Sequence, residues 1–254
     1  MITRSGRLLR GLAGVAAAIA LSELLAATGA IPREFLPPAS AVLARAARLP
    51  AEPDFLTDLA TTLTAWAVGL ALAVAIGVTL GLLLGGVPAI GAALRPVLEF
   101  LRPIPSVALI PLVSLILGAG MTTEVTLIVY AAVWPVLFNT IYGLGEVDPA
   151  PKDTLRVFAF GRAQVMWRVS LPAAAPFIAT GVRLAAAVGL ILAVGSEILA
   201  GFGDGLGVFI AQAQQAVAGT LDVLAGTVWA GTIGLLVNAA LAGGERRLFG
   251  WHAR

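Results

Sequence analysis

The run from Phe55 to Leu84 carries no charged residue after Asp58, and no other feature constrains the fold as strongly. About 20 apolar residues cross the hydrocarbon core of a bilayer, where a helix satisfies its own backbone polar groups. This run spans with roughly ten residues to spare, so it begins as an interfacial turn or crosses at a tilt. Gly69, Gly77, Gly81 and Gly85 recur at helical spacing and offer one small-residue face on which a second helix can pack closely.

Further apolar runs repeat the theme. With 59–84, the segments 10–30, 103–118, 125–144, 177–199 and 223–242 predict six transmembrane helices in an all-α polytopic membrane protein. Only 12% of the 254 residues are charged, about half the proportion of a soluble domain, and 29 Gly and 15 Pro fit membrane helices. Arg4, Arg7 and Arg10 followed by Leu12–Ala30 resemble a signal peptide. The length of that run and the spans that follow favour a retained first helix. Glu23 within it is read as interfacial or facing protein.

Residues 31–54 are proline-rich, with helical apolar spacing around Ala41–Leu49, and read as an external loop carrying a short amphipathic segment. Residues 86–102 read as a turn and a charged boundary with Arg95, Glu99 and Arg102. Pro105 and Pro111 interrupt the next apolar run, a pattern tolerated at membrane depth where protein or a watery cavity compensates. Residues 200–222 are Gly-rich and suit a re-entrant or interfacial segment. With the N-terminus inside, thirteen of the 16 Lys and Arg fall on the cytoplasmic side. Arg33, Arg45 and Arg48 fall outside, so the positive-inside rule places both termini in the cytoplasm.

The chain has no Cys, and its single His is His252. A disulfide framework, a thiolate metal site and a His-based catalytic triad are excluded. The small net charge of +2 gives no nucleic-acid surface. Gly195-Ser196 has no histidine base in any span, and Lys152 lies in a loop, so an intramembrane hydrolase is a remote alternative. A self-contained secondary transporter would show repeated halves and charges at span centres, neither of which is evident here.

The most polar long segment between apolar runs is Asp148–Pro176. Asp148-Pro149 is a helix start, an N-cap acid before a proline at the first helical position. Thr154–Phe160 continues as a helix with Leu155 and Phe158 on one side, Gly161 can end it, and Ala163–Val169 forms a second helix stopped by Leu171-Pro172. A short helix that shows apolar side chains to the cytosol suits a groove on another protein.

This segment resembles the cytoplasmic "EAA" loop of ABC importer permeases. Asp153-Thr154-Leu155 stand on the Glu-Ala-Ala positions, Ala159 on the glycine, Val169 on the isoleucine, and Leu171-Pro172 on Leu-Pro. The spacing agrees throughout while several identities depart. Leu101–Leu112, Trp134–Thr140, Ser196–Leu199 and Gly205-Leu206-Gly207 are similar, in order, to segments of the nitrate/taurine/sulfonate-type permeases.

The resemblance implies a type I ABC importer permease fold with a cytoplasmic coupling helix, in a bacterial cytoplasmic membrane. It implies a second permease copy, an external substrate-binding protein, and a cytoplasmic ATPase dimer. Asp153, Thr154, Leu155, Arg156, Phe158, Ala159, Gly161, Leu171 and Pro172 would then serve ATPase coupling. The chain has no phosphate-binding loop, so it is not itself an enzyme and carries no cofactor, ATP and Mg belonging to the ATPase. Pro105, Ser106, Ser114, Asn139, Thr140, Ser196 and Glu197 are the candidate pathway or gate residues. Breaks at Pro105 and at Gly205–Gly207 would offer backbone N–H groups to an anionic solute. The implied solutes are small sulfonates, taurine, nitrate or carboxylates.

Overall fold

In the computed structural model, residues 4–29, 32, 34–201, 203–216 and 219–249 are described. Arg33, His252 and Arg254, which entered the charge and metal arguments above, lie outside the described residues. The described residues are helical, from α1 (Arg4–Thr28) and α2 (Ala39–Arg48) through α3 (Pro53–Gly86), α4 (Pro88–Leu101), α5 (Ile110–Leu117) and α6 (Met121–Gly145). The chain continues as α7 (Pro149–Val157), α8 (Arg162–Val165), α9 (Leu171–Ala200), α10 (Leu206–Gln215) and α11 (Thr220–Leu248).

Four helices are long and apolar enough to cross a membrane: α3, α6, the continuous Arg162–Ala200 helix that contains α9, and α11. They coincide with four of the six expected spans. The expected span 103–118 is instead the second limb of a pair, Pro88–Leu101 and Ser106–Leu117, bent by 78°. The stretch 86–102, read as a turn, is a 14-residue helix. The apolar part of α1, Ala13–Thr28, is shorter than the other spans.

The glycine stripe of α3 meets α6 as anticipated. A Cβ added at Gly69, Gly77 or Gly81 would lie within 3 Å of Ile128, Val136 or Thr140 respectively. Both series ascend together, so α3 and α6 run parallel. A direct hairpin between them is therefore impossible, and the bent α4–α5 segment must carry the chain back along the bundle. On its other side α6 packs antiparallel to α9, with Gly143 against Phe177 and Gly181 against Asn139. Small residues at these crossings let the backbones approach, which is where helix association in lipid gains its dispersion energy.

Beyond the Glu197 end of α9, the bundle is closed by a cluster of Leu49, Phe55, Leu206, Ile210 and Ala225, with Phe209 edge-on to Phe55 at 5.3 Å between ring centroids. The amphipathic segment expected near 41–49 is α2, bound here through the Trp229 Nε1–H bond to the Ala46 carbonyl at 2.8 Å. Arg45 ties α2 to α11 by pairing with Glu52 and Asp222, and those two carboxylates raise its pKa still further. Glu23 faces protein: its carboxylate accepts the Ser40 N–H at 3.1 Å and the Ser40 hydroxyl at 2.9 Å, capping the exposed N–H groups that open α2.

Candidate functional site

Three groups of polar residues stand out, one at each end of the bundle and one beside the bend. At the Glu197 end, the α10 N-terminus presents successive N–H groups, and each finds an acceptor on another helix. Gly205 N–H donates to Asp58 Oδ1 at 3.0 Å, Leu206 N–H to Thr62 Oγ1 at 2.8 Å, and Gly207 N–H to Glu197 Oε2 at 2.6 Å. The Thr62 hydroxyl donates in turn to Glu197 Oε1 at 2.7 Å. Carboxylates at a helix N-terminus are favoured by the unpaired N–H groups and the helix dipole. The expected break at Gly205–Gly207 is present, but its N–H groups are taken by this chain's own acceptors and are not open to a solute.

Beside this clamp lies a cavity of about 90 Å³ lined by Ser114, Glu124, Ser196, Glu197 and Asp204, among others. The structure thus brings together Ser114, Ser196 and Glu197 of the sequence-predicted set. Ser196 is satisfied within its own helix by the Ala193 carbonyl at 3.0 Å. Glu124 Oε1 and Ser114 Oγ are buried without a hydrogen-bond partner among the described residues. Sequence reasoning had passed over Glu124, Thr62 and Asp58. Glu124 sits in the first turn of a span, where a lone acid reads as an interfacial charge.

Asn139 and Thr140 do not share one surface. Thr140 is fully buried, with its hydroxyl on the Val136 carbonyl at 2.7 Å and its side chain in the Gly81 notch, so its role is helix packing. Asn139 lines a second cavity of about 580 Å³ between α4 and α6, near the bend. Pro105 stands at that bend as the residue before the Ser106–Leu109 turn, and Ser106 opens the turn. The Leu101 carbonyl at the bend accepts both the Ile104 N–H at 3.2 Å and the Tyr130 hydroxyl at 3.0 Å.

At the opposite end, Asp148 caps α7 as the sequence predicts, its Oδ1 accepting the Ala150 N–H at 2.9 Å. Asp153 pairs with Arg156 at 2.9 Å on an exposed face, and the Thr154 hydroxyl bonds the Ala150 carbonyl at 2.9 Å. The helix ends at Val157, before the expected Gly161. The Phe160 N–H reaches back to the Leu155 carbonyl at 3.0 Å and the Ala159 N–H to Arg156 at 2.9 Å. That pair of bonds is a Schellman motif, which needs a left-handed residue at its penultimate position. Ala159 takes that conformation with φ 61°, alone among the described non-glycine residues. The turn expected of glycine is therefore kept by alanine.

Gly161 instead opens α8, its N–H donating to Gln164 Oε1 at 2.9 Å. Leu171-Pro172 does not stop the second helix. A π-turn, Met166–Ser170, leads without interruption into α9, and a turn whose carbonyls accept five residues onward can step over the N–H that Pro172 lacks. Val157 and Phe158 stand 84% and 71% exposed, an apolar tip on a polar loop, while Leu155 is half-buried. Val157 was not singled out from sequence, because helical spacing places it off the Leu155 face.

The geometry has clear counterparts among known proteins. The family "Binding-protein-dependent transport system inner membrane component" matches residues 73–249. The taurine transport system permease protein TauC of Escherichia coli strain K12 is 33% identical over 86% of this chain and 80% of its own length. The nitrate import permease protein NrtB of Synechocystis is 30% identical over 71% of this chain and 65% of its own. The bicarbonate transport system permease protein CmpB of Synechococcus elongatus is 30% identical over 60% and 55%. Among solved structures, a chain of the MetNI methionine ABC transporter in an inward-facing conformation superposes with a TM-score of 0.65 over 78% of this chain and 98% of that one, at 18% identity. That likeness carries the type I importer permease fold.

Proposed function

This chain belongs to the binding-protein-dependent transport system inner membrane component family, and from that premise we propose that it lines the solute pathway of an ATP-driven importer and takes its motion from a cytoplasmic ATPase through residues 148–172. The observation that carries the reading is the α7 tip. Exposing Val157 and Phe158 on a capped, compact helix wastes apolar area unless a groove covers it. The basic residues Lys152, Arg156, Arg162 and Arg168 lie on either side of this tip in the sequence, which supports its placement in the cytoplasm with both termini. A second permease copy would complete the pathway, and a binding protein would deliver solute at the Glu197 end. The relatives named for taurine, nitrate and bicarbonate favour a small anionic or zwitterionic solute.

The test is co-purification with a candidate ABC ATPase co-expressed with this chain. V157E and F158E are expected to weaken the association at least tenfold while leaving thermal unfolding of the permease unchanged, because both side chains are exposed. Retained association in both variants would overturn the coupling role. Ion-gradient-driven uptake by this chain alone would replace the reading with a secondary transporter.

A further inference from the structure

The α4 helix is amphipathic in an unusual direction. Arg95, Leu98, Glu99 and Arg102 stand at i, i+3, i+4 and i+7, and all four line the 580 Å³ cavity facing α6. The opposite face carries Leu94, Val97 and Phe100, each 42% exposed or more, and suits lipid or apolar protein. The charged face therefore borders the open groove against α6, with the Arg95 and Glu99 side chains 79% and 66% exposed. Glu99 is engaged by Arg95 at 3.2 Å. Among the described residues, Arg102 has no carboxylate within ion-pair distance, and its guanidinium lies 4.8 Å from the centre of the Phe138 ring. Phe138 is seven residues before the α6 terminus at Gly145, roughly 10 Å along the helix. An arginine at that depth is costly unless it faces a water-filled cavity or a partner.

Asn139 and Tyr142, the remaining polar groups of the cavity wall, can each donate a hydrogen bond. Asn139 spends one amide N–H on the Pro135 carbonyl at 2.8 Å and keeps the second, and the Tyr142 side chain is largely exposed. A cavity with one uncompensated guanidinium, an amide N–H and a phenol fits a planar or tetrahedral oxyanion, which accepts several hydrogen bonds at once. The smaller cavity at the other end is lined instead by the acids Glu124, Glu197 and Asp204.

We infer that the α4–α6 cavity is an oxyanion-binding station on the solute's route, with Arg102 as its anchoring charge and Asn139 and Tyr142 as supporting donors; this rests on the permease reading above. It names the ligand class as a small sulfonate or nitrate-type anion.

The absence of cysteine from the chain makes a direct test available. Single thiols are introduced on apolar wall positions as L98C and, separately, I141C, in phosphatidylcholine nanodiscs. Each is modified with the anionic 2-sulfonatoethyl and the cationic 2-(trimethylammonio)ethyl methanethiosulfonates, with and without ethanesulfonate. Ethanesulfonate is expected to slow modification. Adding R102Q should lower the anionic-to-cationic rate ratio about tenfold, as loss of one unit charge in a watery cavity requires, and abolish protection, whereas R102K should preserve both. An unchanged ratio in R102Q overturns the proposal. So does protection that appears only with phosphatidylglycerol in the disc, which would assign the site to a lipid headgroup. The measurement needs neither ATP nor a partner, so failed ATP-driven uptake beside intact anion protection would refute the permease reading alone.

Discussion

Thr62 bonds two other helices at once at the Glu197 end. It is fully buried, its hydroxyl donates to Glu197 Oε1 on α9, and its oxygen accepts the Leu206 N–H that opens α10. T62V keeps the shape and removes both bonds, leaving a carboxyl oxygen and a backbone N–H unpaired. Each buried orphan costs about 1–3 kcal/mol, so T62V should destabilise the chain by about 2–6 kcal/mol. T62S retains both bonds and loses one methyl, worth about 1 kcal/mol. The difference between the two variants isolates the hydroxyl from the packing. Chemical unfolding in detergent micelles reads the stability. Hydrogen exchange reads the local effect, with the Leu206 amide expected to exchange at least about tenfold faster in T62V, since ~1.4 kcal/mol corresponds to a tenfold change. If T62V and T62S unfold alike and the Leu206 amide stays protected, the relay does not hold α10 in place.

Three further substitutions test other parts of the argument. A159G should stabilise the chain by about 0.5–1 kcal/mol, because relief of a left-handed alanine, about 1–2 kcal/mol, outweighs glycine's extra backbone entropy of about 0.5–1 kcal/mol; a lowered melting temperature would contradict the Schellman assignment. G81A should cost about 1–3 kcal/mol through overpacking, since its Cβ would lie 2.5 Å from Thr140 Cβ and 3.2 Å from the Leu137 carbonyl oxygen. G231A, with nothing within 4 Å of the added carbon, should be neutral or gain up to about 1 kcal/mol from helix propensity, and the same thermal melts decide whether the two glycines differ in sign.

What the sequence disclosed depended on how local each determinant was. The α3 stripe was legible because four glycines at helical spacing define a face within one element. Asp148-Pro149 was legible because an N-cap is a contract between adjacent residues. Ala159 was not, since nothing about alanine announces a left-handed turn; the conformation is imposed by the bonds from Phe160 and Ala159 back to Leu155 and Arg156. Pro172 read as a stop because the π-turn that absorbs it has no compositional mark. The α4 helix was hidden by Pro96 and by charges that read as a boundary. Glu197 was singled out as an intramembrane acid, but its partner Thr62 lies 135 residues away, beyond any local pattern. Arg102 was counted toward topology, which treats every arginine alike and so concealed that this one faces a cavity without a carboxylate partner among the described residues.

The uninterrupted helix from Arg162 to Ala200 also has a mechanical meaning. Its weak points, the π-turn, Pro172 and Pro176, all lie near one foot, and the remainder is an unbroken lever. Glu197 rides roughly 30 Å above Pro176 along that arm. A tilt of about 10° at the foot would sweep its carboxylate through roughly 5 Å, farther than a hydrogen bond can stretch. The bond of 2.6 Å between Glu197 and Gly207 would part long before the arm completed such a swing, so a modest rotation at one surface suffices to unlatch the other.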